Sequence, residues 1–342
     1  MPIDPPILIT GATGFLGSRT LEALAAKPGK GPLIAAGRTL RAESEVKSPR
    51  VQYRLGDLTD PDYVETLFAA PCPAAIVHCA ALSSPWGAEA DFYRANVLAQ
   101  AHLVAAAQRH GVRNFVLIST PSLYVNFRDC WQVKESDPLP ARLVNAYARS
   151  KRRAEQELAA SGLDWIVLRP RALIGRGDTV IMPRVLRAYH AGRLRVIGNG
   201  KNVVDLTPVS SAVQAIELAL QAGPEARQRC YNLTNGEPIS LWEGIAYVLR
   251  QLGLQPPTRR VPASLLMALA RWMEWRARRL QANREPVLTR YGVSTLARSF
   301  TLDITQARQY LGYQPQQSVW EAIDEFADWW RGRGNSELEI LC

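Results

Sequence analysis

Ile7-Leu8-Ile9-Thr10-Gly11-Ala12-Thr13-Gly14-Phe15-Leu16-Gly17 decides how the rest of the chain is read. The apolar run before Thr10 reads as a buried strand, and apolar positions from Phe15 to Ala26 recur at helical spacing. Gly11, Gly14 and Gly17 stand between them at intervals of three. Three glycines so placed serve a tight turn, a close backbone approach to a pyrophosphate, and close helix–strand packing. A helix start adds unpaired N–H groups and a partial positive charge. Strand, glycine loop and helix in this order read as a dinucleotide site.

Outward from the loop, short apolar runs alternate with helical patterns. Strands are expected at Leu33–Ala36, Val51–Leu55, Ala75–Cys79, Phe115–Ile118 and Trp165–Leu168. The spacing predicts helices over Phe15–Ala26, Asp60–Ala69, Ala90–Arg109 and Asn145–Ala160, with Asp60-Pro61 as a cap followed by Pro at the first helical position. Continuous apolar strands alternating with helices imply an α/β fold, a doubly wound parallel sheet covered on both faces. After Arg169-Pro170 the rhythm changes, with helical patterns at 182–191, 209–221, 240–252, 263–281 and 317–331. The division expected is a nucleotide-binding domain over 1–170, rejoined by about 203–235, and a smaller, mostly helical substrate lobe from 171–202 and 236–342.

The 342 residues carry 41 Lys+Arg against 31 Asp+Glu, a net charge of +10, with 47% hydrophobic and 21% charged residues. That balance suits a globular chain and excludes wholesale disorder. The five cysteines, at 72, 79, 130, 230 and 342, are widely spaced with no C-x-x-C pair. They exclude a disulfide scaffold and a zinc ribbon, so no metal site is expected and a reducing compartment is. No stretch approaches the roughly 20 apolar residues of a membrane span. Met1–Pro6 shows neither a basic n-region nor an apolar h-region, and a cytoplasmic protein without a secretory signal is expected. The arginines are scattered and match no nucleic-acid motif, so no nucleic-acid partner is expected.

An acid about 20 residues past the glycines would favour NAD by holding the ribose hydroxyls. Here no acid lies between Leu33 and Ala42, and Arg38 follows Gly37. A guanidinium there suits a 2′-phosphate, so NADP(H) is favoured over NAD(H). Farther on, Tyr147-Ala148-Arg149-Ser150-Lys151 puts a phenol and an ammonium on one helix face. A lysine within about 4 Å of a phenol could lower its pKa by up to about three units, toward the range of an acid–base catalyst. Ser119-Thr120-Pro121-Ser122 sets hydroxyls just past the carboxyl end of a strand, where ligands bind in such a sheet.

With these motifs in order, nearly the whole chain resembles the extended short-chain dehydrogenase/reductase family, which also holds nucleotide-sugar epimerases and dehydratases. The resemblance implies that Gly11, Thr13, Gly14, Phe15, Leu16 and Gly17 hold the pyrophosphate, and that Asp57-Leu58 holds the adenine. It implies that Ala80 and Ala81, in His78-Cys79-Ala80-Ala81, line the cofactor cleft with Asn96. Tyr147 and Lys151 match the catalytic pair, and Arg169-Pro170 with Leu173 leads to the nicotinamide pocket. Thr120 matches the catalytic hydroxyl, with Ser122 the other candidate; Ser83, Ser122 and Met182 are expected on the substrate side. A hydroxyl there would donate to the substrate oxygen as it gains charge.

Family membership leaves net redox, epimerisation and dehydration open. The missing NAD-binding acid, and Pro121-Ser122 where dehydratases carry Asp-Glu, favour net redox. Leu168–Asp178, Gly198-Asn199-Gly200 and Asn202–Asp205 resemble the 3β-hydroxysteroid dehydrogenase branch, whose bacterial relatives include 2-alkyl-3-oxoalkanoate reductases. The implied activity is hydride transfer to or from a 3-oxo or 3-hydroxy group of a small hydrophobic substrate, steroid-like or long-chain acyl. One rival is a nucleotide-sugar epimerase or dehydratase with retained NAD, its diphosphate clamped by Arg171, Arg176 or Arg184. Another is a non-catalytic NADP sensor. In the 263–281 pattern, Leu265, Leu266, Leu269, Trp272, Met273 and Leu280 recur at helical spacing among four arginines. Three readings stand: a lid over an apolar substrate, a peripheral membrane contact, or a helix packed on its own lobe. Exposed helices of this fold also pair in homodimers.

Overall fold

The computed structural model describes residues 5–29, 31–40, 42–280 and 285–332. Residues 1–4, Cys342 and the end of the helix expected over 263–281 lie outside the described residues. Seven parallel strands form the main sheet in the order Arg229–Leu233, Asp164–Pro170, Asn114–Ile118, Ala75–His78, Ile7–Thr10, Leu33–Gly37, Val51–Leu55. The chain starts at Ile7–Thr10, builds outward on one side, then crosses to Ala75–His78 on the other. Between those two strands the order reverses, and a crevice opens at their carboxyl ends.

Alternation along the first strand explains the two covering layers. Ile7 and Ile9 pack with Leu16, Leu21 and Leu24 of helix Phe15–Ala26 and with Val209, Ala212 and Ile216 of helix Val209–Gln221. Leu8 faces the other way, against Leu103, Ala106 and Ala107 of helix Ala99–Arg109. Period two in the strand thus serves period 3.6 in two helix layers. A second core joins Ile174, Met182, Trp242, Ile245, Val248, Ala270 and Phe326 in the C-terminal lobe.

Several elements differ from expectation. Asp60 caps its helix by accepting from Asp62 N–H at 3.0 Å, but the helix spans only Pro61–Thr66. Leu67 N–H turns back to Val64 and Glu65 carbonyls, and Leu67 and Phe68 go into the core instead of extending the helix. The helix expected over Ala90–Arg109 is Glu89–Tyr93, a π-helical segment Arg94–Leu98, and Ala99–Arg109. Strand Arg229–Leu233 and helices Arg290–Ala297 and Thr305–Leu311 lay outside the sequence reading. Cys130–Val133, on the nucleotide-binding side of the division expected at residue 170, pairs instead with Phe300–Leu302 in a four-strand sheet of the second lobe.

Beneath the carboxyl edge lies a buried ion pair. Arg169 Nε and Nη2 donate to Glu155 at 2.9 and 2.6 Å, and Ser119 Oγ donates to Glu155 at 2.5 Å. Arg169 also reaches Tyr124, whose hydroxyl donates to Asn232 at 3.1 Å. Strand, helix and turn are thereby locked together through groups that have left water. Removing one partner strands the other charge, so Arg169→Leu should cost about 3–5 kcal/mol in urea unfolding. Arg169→Leu combined with Glu155→Leu should recover part of that loss.

Candidate active site

Gly11 closes the first strand with φ +66°, and a Cβ there would lie 2.7 Å from Ala80 N. A Cβ on Gly17 would stand 2.1 Å from the Gly11 carbonyl oxygen. Both positions therefore exclude any side chain. Gly14 N–H donates to the Gly11 carbonyl at 2.9 Å, and helix Phe15–Ala26 starts with no side-chain cap and no acid in its first turn. Its positive end is left for a ligand, and the loop fits a pyrophosphate. Leu16 is buried in the core and Phe15 lies against the Gly177 backbone. Thr13 abuts Gly37, where a Cβ would meet its Oγ1 at 2.6 Å.

Arg38 is exposed directly after strand Leu33–Gly37, close enough to Asp57 to help lower its pKa. The larger cause is the backbone N–H and hydroxyl of Thr59, each 2.9 Å from the Asp57 carboxylate. Leu58 lies beside Asp57, its carbonyl 3.2 Å from His102 Nδ1.

On the other wall, Thr10 Oγ1 lies 2.7 Å from His78 Nδ1 and accepts from Ala80 N–H at 3.4 Å. Burial drives the His78 pKa down to about 3, so the ring is neutral. Ala80 is half-buried, while Ala81 and Ser83 are exposed on the loop that follows. Asn96 sits in the π-helical segment and spends its amide on protein. Its Oδ1 accepts from Leu82 N–H at 2.7 Å; its Nδ2 donates to Leu82 O at 3.1 Å and Ser150 Oγ at 2.9 Å. Expected to line the cleft, Asn96 is instead buried and holds the loop after Ala80 through Leu82. A π segment opens room for such a side-chain clamp.

Asn145 caps helix Ala146–Ala159 by accepting from Ala148 N–H at 2.8 Å, which sets Tyr147 and Lys151 on one face. Thr120 lies close enough to the Tyr147 hydroxyl to lower its pKa, and Thr120 Oγ1 donates to Ser122 Oγ at 3.0 Å. Both sequence-predicted hydroxyls, Thr120 and Ser122, therefore stand together here. The expectation that Lys151 lowers the phenol is corrected. Burial of the hydroxyl end pushes Tyr147 above its ordinary value; Thr120 acts against burial and Tyr291 with it. Lys151 is itself buried, which lowers it to about 8, while Glu155 and Cys79 pull it back up.

Tyr291, from helix Arg290–Ala297, joins this group of hydroxyls, its own 2.9 Å from Ser122 Oγ. Sequence reading missed it because it lies almost 170 positions away with only a Thr289 cap as a local signal. Beside it, Arg171 stacks over Phe300 at 4.7 Å, with Nε buried and unpaired among the described residues. Asp205, near Arg171, is pushed up to about 6 by burial although it accepts from Leu302 N–H at 2.7 Å. Arg176 pairs with Glu22 at 2.6 Å and Glu325 at 3.7 Å, and Arg184 with Glu285 at 3.3 Å. Pro170 is buried at the end of its strand, and Leu173 pairs with Thr207 just beyond Arg171. Met182, expected to face substrate, packs into the second lobe's core, its N–H held by Asp178 at 2.9 Å.

A model of the NAD dependent epimerase/dehydratase family matches residues 7–234. A 2-alkyl-3-oxoalkanoate reductase from Shewanella oneidensis is 31% identical over 329 residues, 92% of this chain and 84% of its own. A 3beta-hydroxysteroid-dehydrogenase/decarboxylase from Arabidopsis thaliana is 31% identical over 301 residues, 82% of this chain and 68% of its own. The fold is similar to that of the Bordetella bronchiseptica enzyme WbmH in complex with NAD+, with a TM-score of 0.76 and 21% identity over 97% of this chain and 100% of that one.

The lowered Lys151 gives a signed pH dependence. Between about pH 8 and its ordinary value near 10.4, the folded chain releases this proton while the unfolded chain keeps it, so stability contributed by this site rises with pH. Lys151→Met should remove that rise. Denaturant unfolding of both proteins at pH 8 and pH 10 measures it as a widening difference in favour of the unsubstituted chain.

Proposed function

The chain belongs to the NAD dependent epimerase/dehydratase family and is an oxidoreductase; we propose that it uses NADP(H) and acts on a 3-oxo or 3-hydroxy group of a hydrophobic substrate. The observation that carries this reading is the placement of Tyr147 and buried Lys151 on helix Ala146–Ala159 beside Thr120, just past the carboxyl end of strand Asn114–Ile118 in the sheet that carries the glycine loop. The names of the two relatives, one for a 3-oxo group and one for a 3β-hydroxyl, support the substrate class.

When bound, the nicotinamide supplies or accepts the hydride. The glycine loop and the uncapped start of helix Phe15–Ala26 would hold the pyrophosphate, and Arg38 a 2′-phosphate. Tyr147 moves the proton on the substrate oxygen, and Thr120 donates to that oxygen as charge develops. Lys151, below its pKa of about 8 at neutral pH, presents a cation to the nicotinamide ribose.

The arginines weigh against the nucleotide-sugar alternative. A diphosphate clamp needs several free cations, yet Arg176 and Arg184 are committed to carboxylates, leaving Arg171.

Tyr147→Phe should lower kcat about 10²–10⁴-fold while nucleotide affinity is kept. Steady-state assays on a 3-hydroxysteroid and a medium-chain 3-oxo ester, with titration of the cofactor, test this; normal turnover would overturn the mechanism. Arg38→Ala should weaken NADPH binding about 10–100-fold and barely change NADH. Near-stoichiometric NAD released on denaturing the purified protein would instead favour the epimerase reading.

A further inference from the structure

We propose that the outer face of helix Ala263–Arg279 docks on an anionic phospholipid bilayer, lying flat on its surface. The helix has two unlike faces. On the inner one, Ala270 and Glu274 are buried, and Leu266 and Met267 pack on the second lobe's core. Glu274 binds Arg290 at 2.8 Å and so ties this face to helix Arg290–Ala297.

A helix that merely packs on its own lobe turns polar residues to water. Here the outer face is apolar: Leu265 is 61% exposed, Leu269 41%, Trp272 52% and Trp275 55%. Leu280, just past the helix, is 66% exposed. Positions 265, 269 and 272 form one stripe at helical spacing, with Trp275 on its flank.

Charge decides what covers this stripe. Glu274 is the one acid among the residues of this helix, and it is buried, while Arg271, Arg276, Arg278 and Arg279 are exposed. Arg276 lies over Trp272 at 5.8 Å and Arg279 over Trp275 at 5.3 Å. Indoles beside arginines suit the zone where acyl chains meet headgroups, with the guanidinium reaching outward to phosphate. A second copy would set arginines against arginines across the stripe. An anionic bilayer satisfies both halves of the face, apolar contact inward and negative charge at the rim. Crossing is excluded for this helix, since among the described residues none is long and apolar enough.

The inner face is linked to the candidate site, because Arg290 precedes Tyr291, whose hydroxyl meets Ser122. If the substrate is the apolar compound proposed above, docking brings the pocket wall next to the phase where that compound dissolves. The docking itself is independent of the reaction.

Cosedimentation of the full chain with vesicles tests it. The protein should bind equimolar phosphatidylglycerol and phosphatidylcholine at least about tenfold more tightly than pure phosphatidylcholine, with affinity falling as salt rises. Trp272→Ser with Trp275→Ser should lose about tenfold or more on the anionic vesicles, and Arg276→Gln with Arg279→Gln should erase the anionic preference. Unchanged thermal midpoints would show that both variants fold. Absence of binding by the unsubstituted chain at low salt would overturn the proposal. So would undiminished binding by both folded variants, or a dimer that the tryptophan variant splits while vesicle binding stays the same. Turnover is not read, so such a failure leaves the proposed reaction standing.

Discussion

Among the glycines described, the tightest packing lies between the ends of the glycine loop. The Gly11 carbonyl oxygen lies 2.1 Å from where a Cβ on Gly17 would be, and Gly11 itself is pressed against the Ala80 backbone. Strand Ile7–Thr10, helix Phe15–Ala26 and the end of strand Ala75–His78 meet there with no side chain between them. That contact puts a helix start at the mouth of the crevice where strand order reverses. The loop carrying Ala80 and Ala81 and the helix carrying Tyr147 and Lys151 are then arranged around a point already defined by backbone.

The polar groups below the site answer to burial as well. With so little room at the edge, Ser119, Glu155 and Arg169 have lost water and satisfy one another. Lys151, one turn before Glu155 on the same helix, is buried as an amphipathic stem with a cation that titrates low. Burial, more than pairwise attraction between Tyr147 and Lys151, governs both groups. Reading the two residues as a simple ion-assisted phenol therefore mistook the larger of the two effects.

Local signals made the sheet and both covering layers legible. Runs such as Ile7-Leu8-Ile9 and Phe115–Ile118 have one dominant period, and caps at Asp60 and Asn145 mark helix starts. The glycine loop and the Tyr147/Lys151 spacing were equally visible because each is a local motif. Less legible was whatever depended on distant partners. Strand Arg229–Leu233 is a strand through its pairing with Asp164–Pro170. Cys130–Val133 gains its place from Phe300–Leu302, and Tyr291 from Ser122. Met182 shows the converse: chain position suggested the pocket, while apolar neighbours took the side chain into a core.

The π segment Arg94–Leu98 has a consequence best put in genetic terms. It amounts to one residue inserted into an otherwise α-helical run, and that extra codon lets Asn96 reach Leu82 and Ser150 while Gln100 Nε2, four positions on, still donates to the Ala154 carbonyl at 2.7 Å. Losing a single codon from this stretch would restore an unbroken α-helix and turn everything before it by about 100°. Phe92, buried beside Tyr147 with ring centroids 6.4 Å apart, would swing off its wall along with the clamp on the loop. In this part of the chain, length is therefore under tighter constraint than composition.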